Sequence, residues 1–268
     1  MTKNVLNKTR IIEIVGPPGI GKSTVYTTLC SLWKQQDSWL PQNALLRKSN
    51  PPISQVRSWI GYQVSEILRL KKSTAVPVEV GLRFANNHKA LSFFFWSYLC
   101  RHATRRKDAG NAFSTAYFLF KDFCRYQAVW DAGSPRPCLL DNGFLSKAFL
   151  FHEDEEQLEQ QLDEYLSLVP LPHAIICLEK DANEPGFDLQ PDQNINDQKH
   201  HHPKELMSFE RCRAVYKMIV EKMEGYNIPL CRVNVRNAEE NNLPVLLNFL
   251  HLMGYTESRL IRANNLDV

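Results

Sequence analysis

The chain has 268 residues, a formal net charge of +3, 44% hydrophobic residues and 23% charged residues. That is enough for a sizeable core, so disorder is excluded as the default state, and the charge gives no electrostatic case for a nucleic-acid partner. Seven scattered cysteines, odd in number and without CxxC spacing, argue against a disulfide framework or a zinc site. The polar, basic stretch from Met1 to Arg10 does not read as a secretory signal, having no apolar segment before a cleavage site. A soluble, cytoplasmic protein is expected.

The first element is Arg10-Ile-Ile-Glu-Ile-Val15, short and β-branched, running into a Gly/Pro cluster. It predicts a strand ending in a loop. Val25, Leu29, Leu32 and Trp33 then recur at helical spacing, predicting a helix over 23–36. From 51 to about 130 the pattern is helical. Val56, Trp59, Ile60, Val64, Ile67 and Leu68 mark one amphipathic stretch, and further helices are predicted over 88–106 and 112–130. Thr74 to Val80, bounded by Gly81, reads as a loop or short extended piece. The most apolar run, Leu91 to Cys100, is about half the length needed to span a bilayer and predicts a buried helix.

After the turn Asp131 to Pro137, the run Cys138-Leu139-Leu140 predicts a second strand ending on Asp141. A solvated helix over 153–168, a strand over 173–178, a helix over 208–223, a strand over 229–235 and a closing helix over 241–253 follow. Between them, Asp181 to Pro203 is polar, with few apolar anchors and three successive histidines, His200, His201 and His202. It predicts a mobile loop. Strands alternating with helices imply a parallel sheet covered on both faces, with ligands beyond the carboxyl ends of its strands.

Gly16-Pro17-Pro18-Gly19-Ile20-Gly21-Lys22-Ser23 fits G-x-x-x-x-G-K-[ST] without a mismatch. The four fixed positions would match by chance in about one chain in a hundred of this length, and the flanking strand and helix sharpen the match further. The glycines let the main chain approach phosphate oxygens, and their N–H groups converge on the anion at a helix start. Lys22 is expected to reach the β- and γ-phosphates, Ser23 to ligate Mg²⁺ and Thr24 to contact the α-phosphate.

The second candidate is Asp141, at the end of an apolar strand with Gly143 two residues on. There it can hold a metal-bound water or take a proton from an attacking hydroxyl. The bland reading is a helix cap. Asp131 and Glu179 are competing acids that fit less well, one preceding a Pro-rich turn and the other ending a later strand.

On the residues Ile11 to Thr24 and Leu139-Leu-Asp-Asn-Gly143, the chain resembles the P-loop kinases of nucleosides, nucleotides and other small metabolites, the thymidylate-kinase-like group. The resemblance implies an α/β, three-layer P-loop NTPase fold with a mainly parallel sheet. It implies a single domain, 1–268, with a helical substrate-region insertion at about 51–130 and a lid-like loop at about 181–207. It implies ATP and Mg²⁺ as ligands, with Ser23 and Asp141 on the metal and Lys22, Asp141 and Arg211 as catalytic groups. In that group the lid supplies arginines. Here Lys180 to Glu210 contains none, and Arg211 and Arg213 stand just beyond it. Two residues apart on a helix, they do not share a face, so at most one faces the phosphates. The adenine is expected against Val235 to Glu239, and Arg83, Arg101 and Arg125 are unranked anchors for the acceptor.

The expected activity is transfer of the γ-phosphoryl of ATP to a small-molecule hydroxyl or phosphate, with no nucleic-acid or membrane partner. The alternative is an ATP-binding regulator or ATPase without an acceptor. Such proteins usually pair Asp with Glu at the second motif, whereas Asn142 follows Asp141 here. A GTP switch lacks its D-x-x-G and N-K-x-D segments, and a sulfotransferase is disfavoured by the intact Gly-Lys-Ser-Thr.

Overall fold

The computed structural model of the chain describes residues 8–46, 76–106, 109–151, 155–180, 209–235 and 242–264. The expected helix across Val56 to Leu68, the polar loop from Asp181 with His200 to His202, and most of the Val235 to Glu239 segment lie outside them.

The order is β1 (Ile11–Val15), α1 (Lys22–Leu32), β2 (Leu40–Pro41), α2 (Gln42–Leu45), α3 (Val78–Asn87), α4 (Lys89–Arg106) and α5 (Ala109–Asp131). β3 (Cys138–Leu140), a 3₁₀ helix (Leu145–Leu150), α6 (Glu155–Leu168), β4 (Ala174–Glu179), α7 (Phe209–Gly225), β5 (Leu230–Asn234) and α8 (Leu243–Asn264) complete it. The strands form one sheet in the order β2-β3-β1-β4-β5, with every pairing parallel.

Helices cover both faces. On one, Ile12, Ile14, Leu139, Ile176 and Leu178 meet Val25 and Leu29 of α1 and Leu246 and Leu250 of α8. On the other, Ile11, Val15, Cys138, Leu140, Ile175 and Cys177 meet an aromatic core from α3 to α7. Two-sided burial explains why β3 reads as an unbroken apolar run, β1 is apolar apart from Glu13, and β4 is apolar up to Glu179 at its end. The chain leaves β1 toward β2 and β3 on one side and reaches β4 and β5 on the other. The order therefore reverses beside β1, and the crevice between the carboxyl ends of β1 and β3 is where such sheets take ligands.

Four local expectations change. The helix after the glycine loop stops at Leu32 rather than at 36, because Asp37 competes for the backbone. Its carboxylate accepts the Lys34 N–H at 2.8 Å and its own N–H donates to the Lys34 carbonyl at 3.0 Å. The edge strand β2 is too short to leave a pattern; Leu40 and Pro41 pair with Cys138 and Leu139. The stretch before Gly81 is not extended throughout, since α3 starts at Val78, directly after Pro77. Gly81 lies inside that helix because α5 crosses it closely: a Cβ there would stand 2.4 Å from the Cys124 sulfur. The closing helix continues beyond residue 253, to Asn264.

The helix over 155–168 is amphipathic, burying Leu158, Leu162, Tyr165 and Leu166. In α4, Phe94 and Phe95 are buried while Phe93 and Trp96 of the same apolar run are exposed. Among the described residues no helix is long and apolar enough to cross a membrane.

Candidate functional site

The loop between β1 and α1 takes its shape from its own residues. Gly19 and Gly21 have φ of 77° and 97°, in the left-handed region that glycine alone enters without strain. Gly16 is needed for room: a Cβ there would lie 2.9 Å from Ile20 Cγ2 and 3.1 Å from the Leu178 carbonyl oxygen. The Ile20 N–H closes a turn on the Pro17 carbonyl at 3.3 Å. Helix α1 then starts at Lys22 with no side-chain cap on its first turn, so its leading N–H groups form a positive helix end.

Lys22 folds back over this loop. Its Nζ donates to the carbonyls of Gly16 at 2.8 Å and Pro17 at 2.9 Å, and it lies 6.0 Å from the centre of the Phe149 ring. Burial lowers its pKa from 10.5 to about 8, helped by the Lys147 charge and opposed by Cys212 and Asp141. Ser23 and Thr24, on the first turn of α1, are exposed.

Asp141 leaves β3 half-buried on the strand next to β1, so its charge acts on Lys22. It also acts across to α1. The Tyr26 hydroxyl and the Cys30 thiol are pushed up by burial first, and by Asp141 as a lesser cause. The two segments that carry the sequence argument are thus brought together at the carboxyl edge of the sheet.

The turn after Asp141 is held from outside itself. Glu13, fully buried on β1, accepts the N–H of Phe144 and of Leu145, each at 3.1 Å, and the Tyr126 hydroxyl at 3.2 Å. It thereby satisfies the orphan donors at the start of the 3₁₀ helix. Gly143 is obligatory, because a Cβ would fall 2.0 Å from the Glu13 carboxyl carbon. The Phe144 carbonyl takes the Tyr165 hydroxyl at 2.6 Å, and the Phe144 ring packs on Phe84 and Tyr126.

On the other side of the turn, Arg125 donates to the Asn142 carbonyl and, at 2.7 Å, to Asp122. Lys147 pairs with Asp122 at 2.7 Å and reaches the Asn142 side-chain oxygen at 3.4 Å. Burial raises the Glu13 carboxyl from 4.5 to about 7, against the lowering pull of the Leu145 and Phe144 amides, the Tyr126 hydroxyl and Arg125.

Glu13 escaped the sequence argument. Its signal was a charge between Ile12 and Ile14 in a strand otherwise apolar throughout. Of the three arginines considered as anchors, only Arg125 touches the Asp141 turn. Arg83 pairs with Asp131 at 2.6 Å on the surface, and Arg101 is exposed on α4.

The competing acids are both engaged. Asp131 also takes Gln127 at 2.8 Å, at the end of α5 that leads into the amino end of β3. Glu179 takes Arg232 at 2.9 Å and the Tyr216 hydroxyl at 3.2 Å. Arg211 is half-buried at the start of α7, next to Cys212, whose thiol interacts with Lys22. Arg213 lines a groove of about 400 Å³ that borders the glycine loop at Pro17 and Ile20 and is completed by Tyr216, Lys217 and Arg232, with neither Lys22 nor Asp141 in its lining.

Mg²⁺ that arrives with a triphosphate needs only one or two protein oxygens. The exposed Ser23 hydroxyl and the half-buried Asp141 carboxylate suit that demand. Among the described residues there is no cluster of three or more His, Cys, Asp or Glu that could hold a metal without such a ligand. No family model, curated protein or solved structure matches the chain, so a functional reading rests on the site's own chemistry.

Proposed function

We propose that this chain is a P-loop phosphotransferase that moves the γ-phosphoryl of ATP to a hydroxyl or phosphate of a small molecule. The observation that carries the reading is a half-buried ammonium, Lys22, seated on a glycine loop at an uncapped helix start, with the carboxylate of Asp141 just past the end of the adjoining strand. Oriented amides, a helix end and an ammonium together favour a polyphosphate.

In this reading Lys22 exchanges the Gly16 and Pro17 carbonyls for phosphate oxygens, and the loop amides carry the remaining charge. Gly16 to Thr24 form the cradle. Asp141 orients the acceptor hydroxyl and takes its proton as its oxygen bonds to the γ-phosphorus and the bond to the bridging oxygen of ADP breaks. Ser23 and Asp141 would hold Mg²⁺, which when bound neutralises charge on the β- and γ-phosphates. Arg211 is the lid-side cation in the same proposal. The enzyme is assigned to the cytoplasm, where its free thiols stay reduced.

The test is ADP formation with a panel of nucleosides, nucleotides and other small hydroxyl compounds. Acceptor-dependent turnover that is lost in both Lys22→Ala and Asp141→Asn supports the reading. Turnover independent of any acceptor would replace it with an ATPase, and a strong preference for GTP would reverse the choice of nucleotide. Full activity in Asp141→Asn beside none in Lys22→Ala would remove the base assignment.

A further inference from the structure

Glu13 takes no part in the phosphate cradle, yet its carboxylate sits where the strand that ends in the cradle meets the turn that presents Asp141. Strand register places Glu13 opposite Leu140, the residue before Asp141. Its two oxygens accept both leading amides of the 3₁₀ helix that follows the turn. Gly143 is packed against the same carboxyl group with no space for a side chain. A carboxylate in the middle of a fully buried strand is costly unless it is satisfied, and an apolar residue in its place would leave two amides and a tyrosine hydroxyl without acceptors. Other elements face the same group: Arg125 and Tyr126 from α5, and Tyr165 from α6, whose hydroxyl pKa Glu13 helps to raise.

We propose that Glu13 is a positioning residue: by capping the turn at Phe144 and Leu145 from the strand that leads into Gly16, it holds the Asp141 carboxylate at a set distance from Lys22. The ionised form accepts every donor that faces it. Protonation leaves one oxygen a poor acceptor and introduces an O–H among groups that are themselves donors, so the turn loosens. Because burial raises the carboxyl pKa to about 7, positioning is expected to be lost on the acid side of neutrality and complete above it. The inference rests on the phosphotransferase reading for its kinetic readout alone.

The experiment uses the full chain, with wild type, Glu13→Gln and Tyr126→Phe compared in three measurements. Calorimetry with ATP and Mg²⁺ is expected to give a Kd for Glu13→Gln within about twofold of wild type, since the cradle's own contacts remain. Acceptor-dependent kcat is expected to fall about tenfold at pH 8, and the acid limb centred near 7 in wild type should vanish from its pH profile. Tyr126→Phe, which removes a donor that stabilises the carboxylate, should move that limb upward. This second variant decides the matter if Glu13→Gln does not fold.

The amide resonances of Phe144 and Leu145 supply a readout independent of turnover. They should titrate near pH 7 in wild type and not in Glu13→Gln. Wild-type kcat and pH profile in a folded Glu13→Gln, or an unmoved limb in Tyr126→Phe, overturns the proposal. Absence of turnover in wild type sinks the phosphotransferase reading, and the two resonances then decide on Glu13 alone: if they do not titrate, Glu13 does not govern the turn.

Discussion

The glycine loop and the turn after β3 follow adjacent parallel strands and are stabilised in opposite ways. The loop from Gly16 to Lys22 is held mainly by itself: its ammonium sits on its own carbonyls and its bends come from its own glycines, with Leu178 of β4 the distant neighbour that leaves Gly16 no room for a side chain. The turn from Asp141 to Leu145 makes its contacts elsewhere, with Glu13 on β1, Arg125 and Tyr126 on α5, Tyr165 on α6 and Lys147 one turn further on. The first can be written as a short pattern because chain neighbours supply its hydrogen bonds and its bends. The second depends on residues up to 132 positions apart, so damage to it can come from any of several elements.

The comparison can be broken from the loop side most severely. On the proposed function, Lys22→Ala should weaken nucleotide binding by about a thousandfold, or ~4 kcal/mol, because no other group would replace the ammonium proposed to meet the phosphate oxygens. Calorimetry reads this directly, and the unfolding midpoint without nucleotide should not fall.

Breaking the turn comes next. Gly143→Ala drives a methyl into the Glu13 carboxyl group and should destabilise the fold by about 3 kcal/mol or more in denaturant titration. Gly225→Ala meets nothing within 4 Å. It should be neutral or stabilise by about 0.5–1 kcal/mol, as helical Gly-to-Ala changes do.

The pH dependence of stability sharpens the same contrast. Glu13 binds its proton more tightly folded than unfolded, so between pH 4.5 and about 7 the native state holds the excess protons. Stability from this group is therefore full below 4.5 and falls as pH rises through 7, by about 3 kcal/mol in all. The denaturation midpoint of wild type measured against Glu13→Gln from pH 4 to 8 should show this slope, and an equal slope in both proteins would contradict it.

Lys22 has the opposite chemistry. With its pKa lowered to about 8, it is largely charged at neutral pH and loses its proton above. Nucleotide affinity should then fall by about tenfold per pH unit beyond 8, with proton uptake on binding visible as a dependence of the calorimetric heat on buffer ionisation. The smallest effect is outside both regions. Arg83→Ala breaks an exposed pair with Asp131 and should change stability by less than about 0.5 kcal/mol, without altering nucleotide binding.

Much of the frame was legible in the chain. The strands β1, β3 and β4 stood out because burial on both faces demands largely apolar runs, and the edge strand β5 stood out by alternation, with Cys231 and Val233 buried and Arg232 exposed between them. Helices α4, α5 and α7 stood out because their buried residues recur with helical period. β2 was not legible: a two-residue edge strand exists only through its pairing with β3. Gly81 read as a boundary because a glycine's local preference points to a turn, while its reason for being there is the crossing of α5.

What the sequence determined by itself is the glycine loop between β1 and α1 and the acid that follows β3, since both follow from rules about neighbours: glycine dihedrals, a helix start, a strand end. What only the tertiary structure decided is which distant charges serve that acid. Glu13 became a cap, Arg125 a tie for the turn and Arg83 a surface ion pair because packing brought some donors and acceptors within hydrogen-bond reach and left others to solvent. Side-chain identity alone carries no information about those distances.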